Sequence, residues 1–352
     1  MDSNIENTQN PLVFVECMTF NHVNYIEDAM KGFVMQQTDF SYVAVVVDDA
    51  SMDGEPEVIK RFLEKEFDMA SSVQDETEDY VRVVAKHKTN ENCTFVVVFL
   101  KYNHYSIQKP KWKYYWNWRK KAKYIALCEG DDYWTDSLKL QKQVNFLEEH
   151  EEYGFIGANC MVCKGNELTD DIDWFAKDDY LVENGVKEFG NVFESAICGP
   201  LTRTCTLLYK KKIIDEFPMK SMGDLSLQAI LAHESAFARL EGCSCVYRIH
   251  EGGLSNSKSF EIKLMYHKWL VANRKFLSEA FPDKCSFDEL EFADRENYIY
   301  LRHYLNAFRF NKALHRKRQL VTDEYKNKMF SKYLLGYFSA FVLYVLMKFR
   351  HE

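Results

Sequence analysis

Several familiar signatures are missing from this 352-residue sequence, and each absence removes a class of function. The ten cysteines form only two close pairs, Cys160 with Cys163 (CMVC) and Cys243 with Cys245 (CSC), and neither has a matching His or Cys set at zinc-finger spacing. Buried, reduced thiols are the expectation, and a chain this long can bury a core without staples. The first ten residues, MDSNIENTQN, carry neither a basic patch nor an apolar centre. No secretory signal is therefore expected, and the active part is expected to face the cytoplasm. No acidic loop has the ligand spacing of an EF-hand, which removes calcium storage. The net charge is −8, and the basic residues concentrate at one end: from 311 to 352 nine Lys or Arg stand against three acids, leaving −14 for residues 1 to 310. An acidic body argues against nucleic acid as the main partner.

What is present is an alternation of continuous apolar runs with helical patterns. Residues 12–19 (LVFVECMT), 42–47 (YVAVVV) and 124–128 (YIALC) read as strands buried on both faces, with further strands at 81–85 and 94–100. After the first, Ile26, Ala29, Met30, Phe33 and Val34 recur on one helical face, with Asn24 and Glu27 at capping-box spacing. After the second, Val58, Ile59, Phe62 and Leu63 do the same, with Asp53 as cap and Pro56 in the first turn. The acidic stretch 68–80 reads as a loop, 203–209 and 243–249 as later strands, and 170–188 as an insertion facing a substrate cleft. This order implies an α/β protein with a doubly wound, mostly parallel (mixed) sheet flanked by helices, and a helical C-terminal extension.

The chemistry collects where strands end. The run 124–128 gives way within one residue to Glu129, Gly130, Asp131 and Asp132, then to Tyr133 and Trp134. Thr135 and Asp136 are expected to cap a helix that carries Leu140, Val144 and Leu147. The second strand also ends in a carboxylate pair, Asp48 and Asp49. Carboxylates leaving the carboxyl ends of parallel strands sit at the edge where such sheets bind ligands. Oxygen ligands suit a hard divalent cation, Mg²⁺ or Mn²⁺, which in turn favours a diphosphate. A bare Asp-Asp pair serves as a solvated turn or a helix cap as readily. Between these strands, 101–123 is cationic and rich in aromatics, and reads either as a solvated charged helix or as a phosphate-facing segment. Asp224 opens a helix expected to carry Leu227, Ile230, Leu231 and Ala238 on its apolar positions, where a carboxylate is most simply a cap. His250 precedes a Gly-Gly turn at which backbone can approach a ligand.

Residues 333–347 (YLLGYFSAFVLYVLM) carry no charge. At a helical rise of about 1.5 Å they cover about 22 Å, short of the roughly 30 Å of bilayer hydrocarbon. The run is expected to be a helix buried in protein or lying in the membrane interface, with the basic residues before it available to anionic headgroups.

In order along the chain, MTFNHVNYIEDAM, VVVDDASMDG, KYIALCEGDDYWTDSLKLQKQVNFLE, MGDLSLQAILA and YRIHEGG resemble the motifs of the inverting family 2 glycosyltransferases of the GT-A fold, especially bacterial cell-surface polysaccharide enzymes. The resemblance implies a glycosyltransferase domain over 11–257, its donor half at about 11–135 and its acceptor half at about 136–257. A polar tail (1–10) precedes it, and a helical region (258–352) with a membrane-associating or docking helix follows. It further implies that Thr19, Phe20 and Asn21 line the nucleotide pocket, that Asp49 recognises the base, and that Asp131 and Arg248 face the ribose or phosphates. Asp132 and His250 would hold Mn²⁺ or Mg²⁺, Glu129 and Trp134 would meet the acceptor or sugar, and Asp224 would be the general base. The implied partners are a nucleotide-diphosphate sugar and a glycan or lipid-linked saccharide acceptor, with peripheral membrane contact at the inner face of the cell membrane through the C-terminal helix.

The residue types suit that chemistry. A sugar hydroxyl is a poor nucleophile near pH 7, so a carboxylate must take its proton as the new bond forms. A cation meets the charge gathering on the departing diphosphate. A hydrolase would need two carboxylates flanking the bond, which adjacent Asp131 and Asp132 cannot do. Two alternatives are a nucleotidyltransferase, for which the expected Gly-rich loop after the first strand is missing, and a non-catalytic sugar-nucleotide binder.

Overall fold

A computed structural model describes residues 10–165, 167–170, 181–183, 185–197, 199–215, 217, 223–250, 252–253 and 259–287. The chain forms two compact units, 1–256 with 273–285, and 257–272 with 286–352. Everything described below lies in the first unit, apart from the leading part of the last helix. The apolar run 333–347, the centre of the expected insertion (171–180) and Met222 lie outside the described residues. Among the described residues no helix is long and apolar enough to cross a membrane.

The elements follow the expected alternation. The first half runs β1 (Val13–Thr19), α1 (Ile26–Val34), β2 (Tyr42–Asp48), α2 (Glu55–Glu66), β3 (Val73–Glu76), β4 (Tyr80–Lys86) and β5 (Cys93–Leu100). A 3₁₀ turn (Trp112–Tyr114) and the short α3 (Trp116–Arg119) lead to β6 (Tyr124–Leu127), β7 (Tyr133–Trp134) and α4 (Lys139–Glu149). Then come β8 (Tyr153–Lys164), β9 (Glu167–Asp170), β10 (Leu181–Glu183), β11 (Val186–Gly190), α5 (Phe193–Ala196), β12 (Leu208–Lys210), α6 (Lys211–Asp215), α7 (Asp224–Glu234), β13 (Ala236–Ile249) and α8 (Phe260–Ala280). They build one mixed sheet in the order β10-β11-β13-β8-β12-β6-β1-β2-β5-β4-β3, with β7 against β13 and β9 against β8. The central strands β6, β1, β2 and β5 are parallel, and antiparallel strands extend both edges.

The continuous apolar runs are explained by burial on both faces. Val13, Val15 and Cys17 of β1, Ala44 and Val46 of β2, Phe95 and Val97 of β5, and Tyr124 and Ala126 of β6 belong to one buried cluster. The same cluster holds Ile26, Ala29, Met30 and Phe33 of α1, Ile59, Phe62 and Leu63 of α2, and Leu140, Val144 and Leu147 of α4. The alternate residue Phe14 points to the other face and stacks on Tyr115 at 5.7 Å. Register then fixes the functional edge. Thr19 pairs with Asp48, Glu16 pairs with Leu127, and the bonds Cys128 N to Glu16 O (3.1 Å) and Gly130 N to Met18 O (3.0 Å) carry β6 onward. Three chain segments therefore leave the sheet side by side.

Several local expectations are corrected. Asn24 and Glu27 do not form a capping box: Tyr25 occupies the cap, and Glu27 pairs with Lys31 at 2.8 Å instead. The turn before α1 is satisfied from outside, His22 N–H donating to Glu55 (2.8 Å) and Val23 N–H to Asp53 (2.9 Å). Gly54 at φ +97°, not Asp53, is the cap of α2, because the chain must turn there through the left-handed region. Leu138, not Thr135 or Asp136, caps α4, although Asp136 accepts the Leu138 N–H at 2.9 Å. The loop expected at 68–80 contains β3, an edge strand whose acids hide its period and whose Asp75 pairs with Arg82 at 2.8 Å. The strand expected at 203–209 shrinks to β12, because Thr204–Thr206 coil into a 3₁₀ turn whose Cys205 carbonyl accepts the Trp134 indole N–H at 2.8 Å.

Asp48, at the end of β2, is buried, and this burial pushes its carboxyl up to about 6 from an ordinary 3.8, although the Ser51 hydrogen bond opposes the shift. The folded state thus holds a proton that the unfolded chain has already released, so this contribution to stability is complete below pH 3.8 and is lost as pH rises through 6. Asp48→Asn keeps the acceptor for Ser51 N–H and stays neutral. Its unfolding free energy is expected to gain on that of the wild type between pH 4 and 7, by on the order of 3 kcal/mol. Denaturant titrations across that range check this; parallel pH profiles for the two proteins contradict it.

Candidate active site

The first wall of the site is a latch between the ends of β1 and β2. The Thr19 hydroxyl donates to Glu55, a wholly buried carboxylate that also accepts His22 N–H (2.8 Å) and the Ser51 hydroxyl (2.8 Å). Asn21 sits at φ +57°, a conformation that Asn tolerates. Its backbone N–H donates to Ser51 Oγ and its side chain accepts Met52 N–H. Phe20 stands exposed beside it. Asp49 N–H closes on the Thr19 carbonyl at 3.0 Å.

The Asp49 carboxylate is buried and fully engaged. One oxygen accepts His104 N–H (2.7 Å), and the other accepts Tyr105 N–H (3.0 Å) and the Lys111 ammonium (2.6 Å). As found, Asp49 organises the loop after β5, and any base it recognises must compete with these three donors. Most of the lysines of 101–123 follow suit: Lys109 and Lys113 pair with Asp79, and Lys123 with Glu148.

The second wall is the turn that leaves β6. Gly130 packs so closely on β1 that a Cβ there falls inside contact distance of Thr19 Oγ1 and 2.5 Å from Thr19 Cβ. Only glycine fits. The two aspartates that follow point in different directions. Asp131 Oδ2 meets His250 Nε2 at 3.0 Å and His22 Nε2 at 3.8 Å. Burial raises its pKa, but the His250 hydrogen bond and the two imidazoles outweigh that and hold it below the ordinary range. Asp132 turns inward, 2% exposed, and accepts Arg248 N–H (2.8 Å). Burial and the charge of Asp131 drive it well above the ordinary range. Glu129 is raised as well, by burial first and then by Asp132 and Asp131, with Asp224 adding to the effect.

Arg248 is a strut. Its guanidinium donates to the Asp131 carbonyl (3.0 Å) and to Asp28 (2.5 Å) and lies over the Tyr133 and Tyr25 rings, so both arms are committed to the protein rather than presented to a phosphate. Trp134 is a further correction. Expected at the acceptor or sugar, it is 2% exposed, gives its indole N–H to Cys205, and packs edge-on against Phe33 at 4.9 Å, which makes it core. Asp224 opens α7 and, among the described residues, is bonded to its own turn, through Leu225 N–H at 2.9 Å. Burial raises its pKa above 3.8.

The carboxylate facing His250 is thus Asp131, where Asp132 was expected, and His22 joins it. The ligand atoms of His22, Asp131 and His250 lie within 4.8 Å of one another. A tautomer argument tests whether they suit a cation. Thr19 spends its single hydroxyl proton on Glu55, so at 3.1 Å its oxygen accepts from His22 Nδ1–H. In the neutral ring, Nε2 then turns a lone pair toward the Asp131 carboxylate, an arrangement that a proton or a cation between them relieves. Such indirect support of a metal-binding imidazole through its other nitrogen is usual. No local pattern marks His22 for this place; the hydrogen bonds of Thr19 reveal it.

No family model matches this chain. Uncharacterized proteins of Mycobacterium tuberculosis and Mycobacterium bovis align with it at 30% identity over 135 residues, 38% of this chain and 31% of theirs. TuaG of Bacillus subtilis, described as a putative teichuronic acid biosynthesis glycosyltransferase, aligns at 26% identity over 159 residues, 45% of this chain and 51% of its own. The chain therefore spans about a third to a half of the length of these curated relatives. Among solved structures, Staphylococcus aureus TarS 1–349 in complex with UDP is 15% identical, with 83% of this chain and 71% of that one covered at a TM-score of 0.44. The mannosyltransferase PcManGT from Pyrobaculum calidifontis, in complex with GDP-Man and Mn²⁺, is 16% identical, with 96% and 81% covered at a TM-score of 0.46.

Proposed function

We propose that this chain is an inverting, metal-dependent glycosyltransferase of the GT-A family 2 kind, moving a sugar from a nucleotide-diphosphate sugar to a hydroxyl of a glycan or lipid-linked saccharide. Cell-surface polysaccharide synthesis at the cytoplasmic side of the membrane is the setting we assign it, with the resemblance to TuaG as support. The observation that carries the reading is the convergence of Thr19, His22, Asp131 and His250 at one sheet edge.

In this reading the acceptor oxygen attacks C1 of the donor sugar while the C1–oxygen bond to the diphosphate breaks, and the electron pair leaves with the diphosphate. The acceptor proton goes to the Asp224 carboxylate, whose raised pKa makes it a better base than an exposed aspartate. His22, Asp131 and His250 would hold the cation, which when bound supplies Lewis-acid stabilisation of the leaving group. Two imidazoles among three ligands favour Mn²⁺ over Mg²⁺. Arg248 and Gly130 keep the Asp131 turn in place, and Phe20 offers an exposed ring beside the pocket for stacking.

Asp224→Asn is expected to lower transfer by a factor of about 10² to 10⁴ while leaving donor binding within about twofold. Nucleoside diphosphate release across a sugar-nucleotide panel and calorimetric titration of the donor measure the two. Because the base works only when ionised, the wild-type rate rises with pH through the raised Asp224 pKa, so the acid limb lies above pH 3.8. Transfer that survives in the asparagine variant removes Asp224 from the role, and failure of the wild type with every donor favours the non-catalytic binder.

The cation site is checked without turnover. Mn²⁺ titrated into the full chain and followed by electron paramagnetic resonance is expected to bind in preference to Mg²⁺. His22→Gln and His250→Gln are each expected to weaken it by about tenfold or more. Unchanged Mn²⁺ affinity in both variants rules these ligands out.

A further inference from the structure

The segment 101–123 is unlike the rest of the chain. It holds eight Lys or Arg, three Trp and four Tyr and no acid, within a protein of net charge −8. The fold buries one side of this segment and leaves rings on the other. Tyr114, Tyr115 and Trp118 are buried, and some polar groups turn inward with them: the Tyr115 hydroxyl donates to Glu16 (2.6 Å), the Arg119 guanidinium is buried against Glu16 (3.8 Å) and the Tyr209 hydroxyl (3.3 Å), and Arg82 reaches in to the Tyr114 carbonyl (2.6 Å). Other rings stand at the surface. Trp112, Trp116 and Lys120 are exposed at helical spacing, with Trp112 and Trp116 edge to face at 5.6 Å. In the loop before them Tyr105 is 57% and Ile107 58% exposed.

A segment that only faces water does not need two indoles and an isoleucine at its surface, yet Trp112, Trp116 and Ile107 are exposed here among the lysines. An exposed apolar surface of this kind marks a contact. Trp and Tyr interleaved with Lys and free of acids is the composition that settles at a bilayer interface, the rings at headgroup level and the ammonium groups on anionic phosphates. Acids of neighbouring elements anchor several of the lysines from behind, so that Lys113 and Lys123 keep roughly half of their side chains in solvent. A second copy of this face brings its own lysines and no acid to meet them, which opposes a symmetric dimer through it. Ile107 and Pro110 have nothing to give to sugar hydroxyls, which disfavours a glycan platform.

We propose that residues 105–120 form a membrane-contact face that seats Trp112, Trp116, Tyr105 and Ile107 in the interface of an anionic lipid bilayer. The loop that carries Tyr105 is the one bonded to Asp49, so this seat sets the candidate site beside the lipid surface. The contact does not require the transfer chemistry.

The test uses the full chain and vesicles of phosphatidylcholine, with or without phosphatidylglycerol, some with brominated acyl chains. Binding is expected on the anionic vesicles, weakened by salt, with quenching of tryptophan fluorescence by the brominated chains. Trp112→Phe/Trp116→Phe keeps the apolar face and is expected to keep binding but lose most of the quenching, which separates this face from any contribution of the basic tail. Trp112→Ala/Trp116→Ala is expected to bind about tenfold or more weakly, with an unchanged thermal melt. Quenching that persists in the Phe variant, unchanged binding by the Ala variant, self-association through this face, or retention on a polysaccharide gel without vesicle binding each overturns the proposal.

Discussion

The site depends on the absence of one side chain. Gly130 lets the chain leaving β6 lie against Thr19 at the end of β1, and any Cβ there would separate the two strand ends. That approach brings Asp131 within reach of His22, which the same Thr19 orients through its hydroxyl. Thr19 is held in turn by Glu55, at the start of α2, so β1, β6 and α2 meet through a single hydroxyl group. Because Thr19 donates its hydroxyl to Glu55, its oxygen is left to accept from His22 Nδ1–H, and Nε2 of the same ring faces Asp131.

The electrostatics follow from crowding carboxylates at a sheet edge with little water. Each acid is relieved differently. Asp49 is met by two backbone N–H groups and Lys111, and Asp132 by the Arg248 N–H. Glu129 is held toward its protonated form by burial and its neighbours. Asp131 alone faces two imidazoles, and it alone is lowered among the three acids of its turn. Among the described residues, His22, Asp131 and His250 form the group whose ligand atoms lie close enough together to share a cation. Tyr105, exposed in the loop that Asp49 holds, links the site to the surface of the molecule.

Much of this was legible in the sequence. The runs YVAVVV and YIALC announced strands buried on both faces, and the polarity change at Glu129 announced the edge. The turn residues Gly130, Asp131 and Asp132 and the strand-ending His250 were legible for the same reason, since their spacing from an apolar run decides where they stand. The division of labour between Asp131 and Asp132 was not. It depends on which carboxylate meets the Arg248 N–H from β13, more than a hundred residues away, and no local pattern encodes that. Trp134 misled for a related reason: an aromatic beside an acidic turn suits a sugar platform, but Cys205 claims its N–H and Phe33 its ring. The latch through Glu55 was hidden because a buried glutamate at a helix start looks like an ordinary first-turn acid.

The central claim is that these strand ends, with a cation among His22, Asp131 and His250, form one site for a nucleoside diphosphate. Calorimetric titration of the full chain with a panel of nucleoside diphosphates, in Mn²⁺ and again in chelator, tests it most directly. The account predicts saturable one-to-one binding of at least one diphosphate in Mn²⁺, lost on chelation and in Asp131→Asn. Binding of equal strength in chelator, or none across the panel in Mn²⁺, contradicts it.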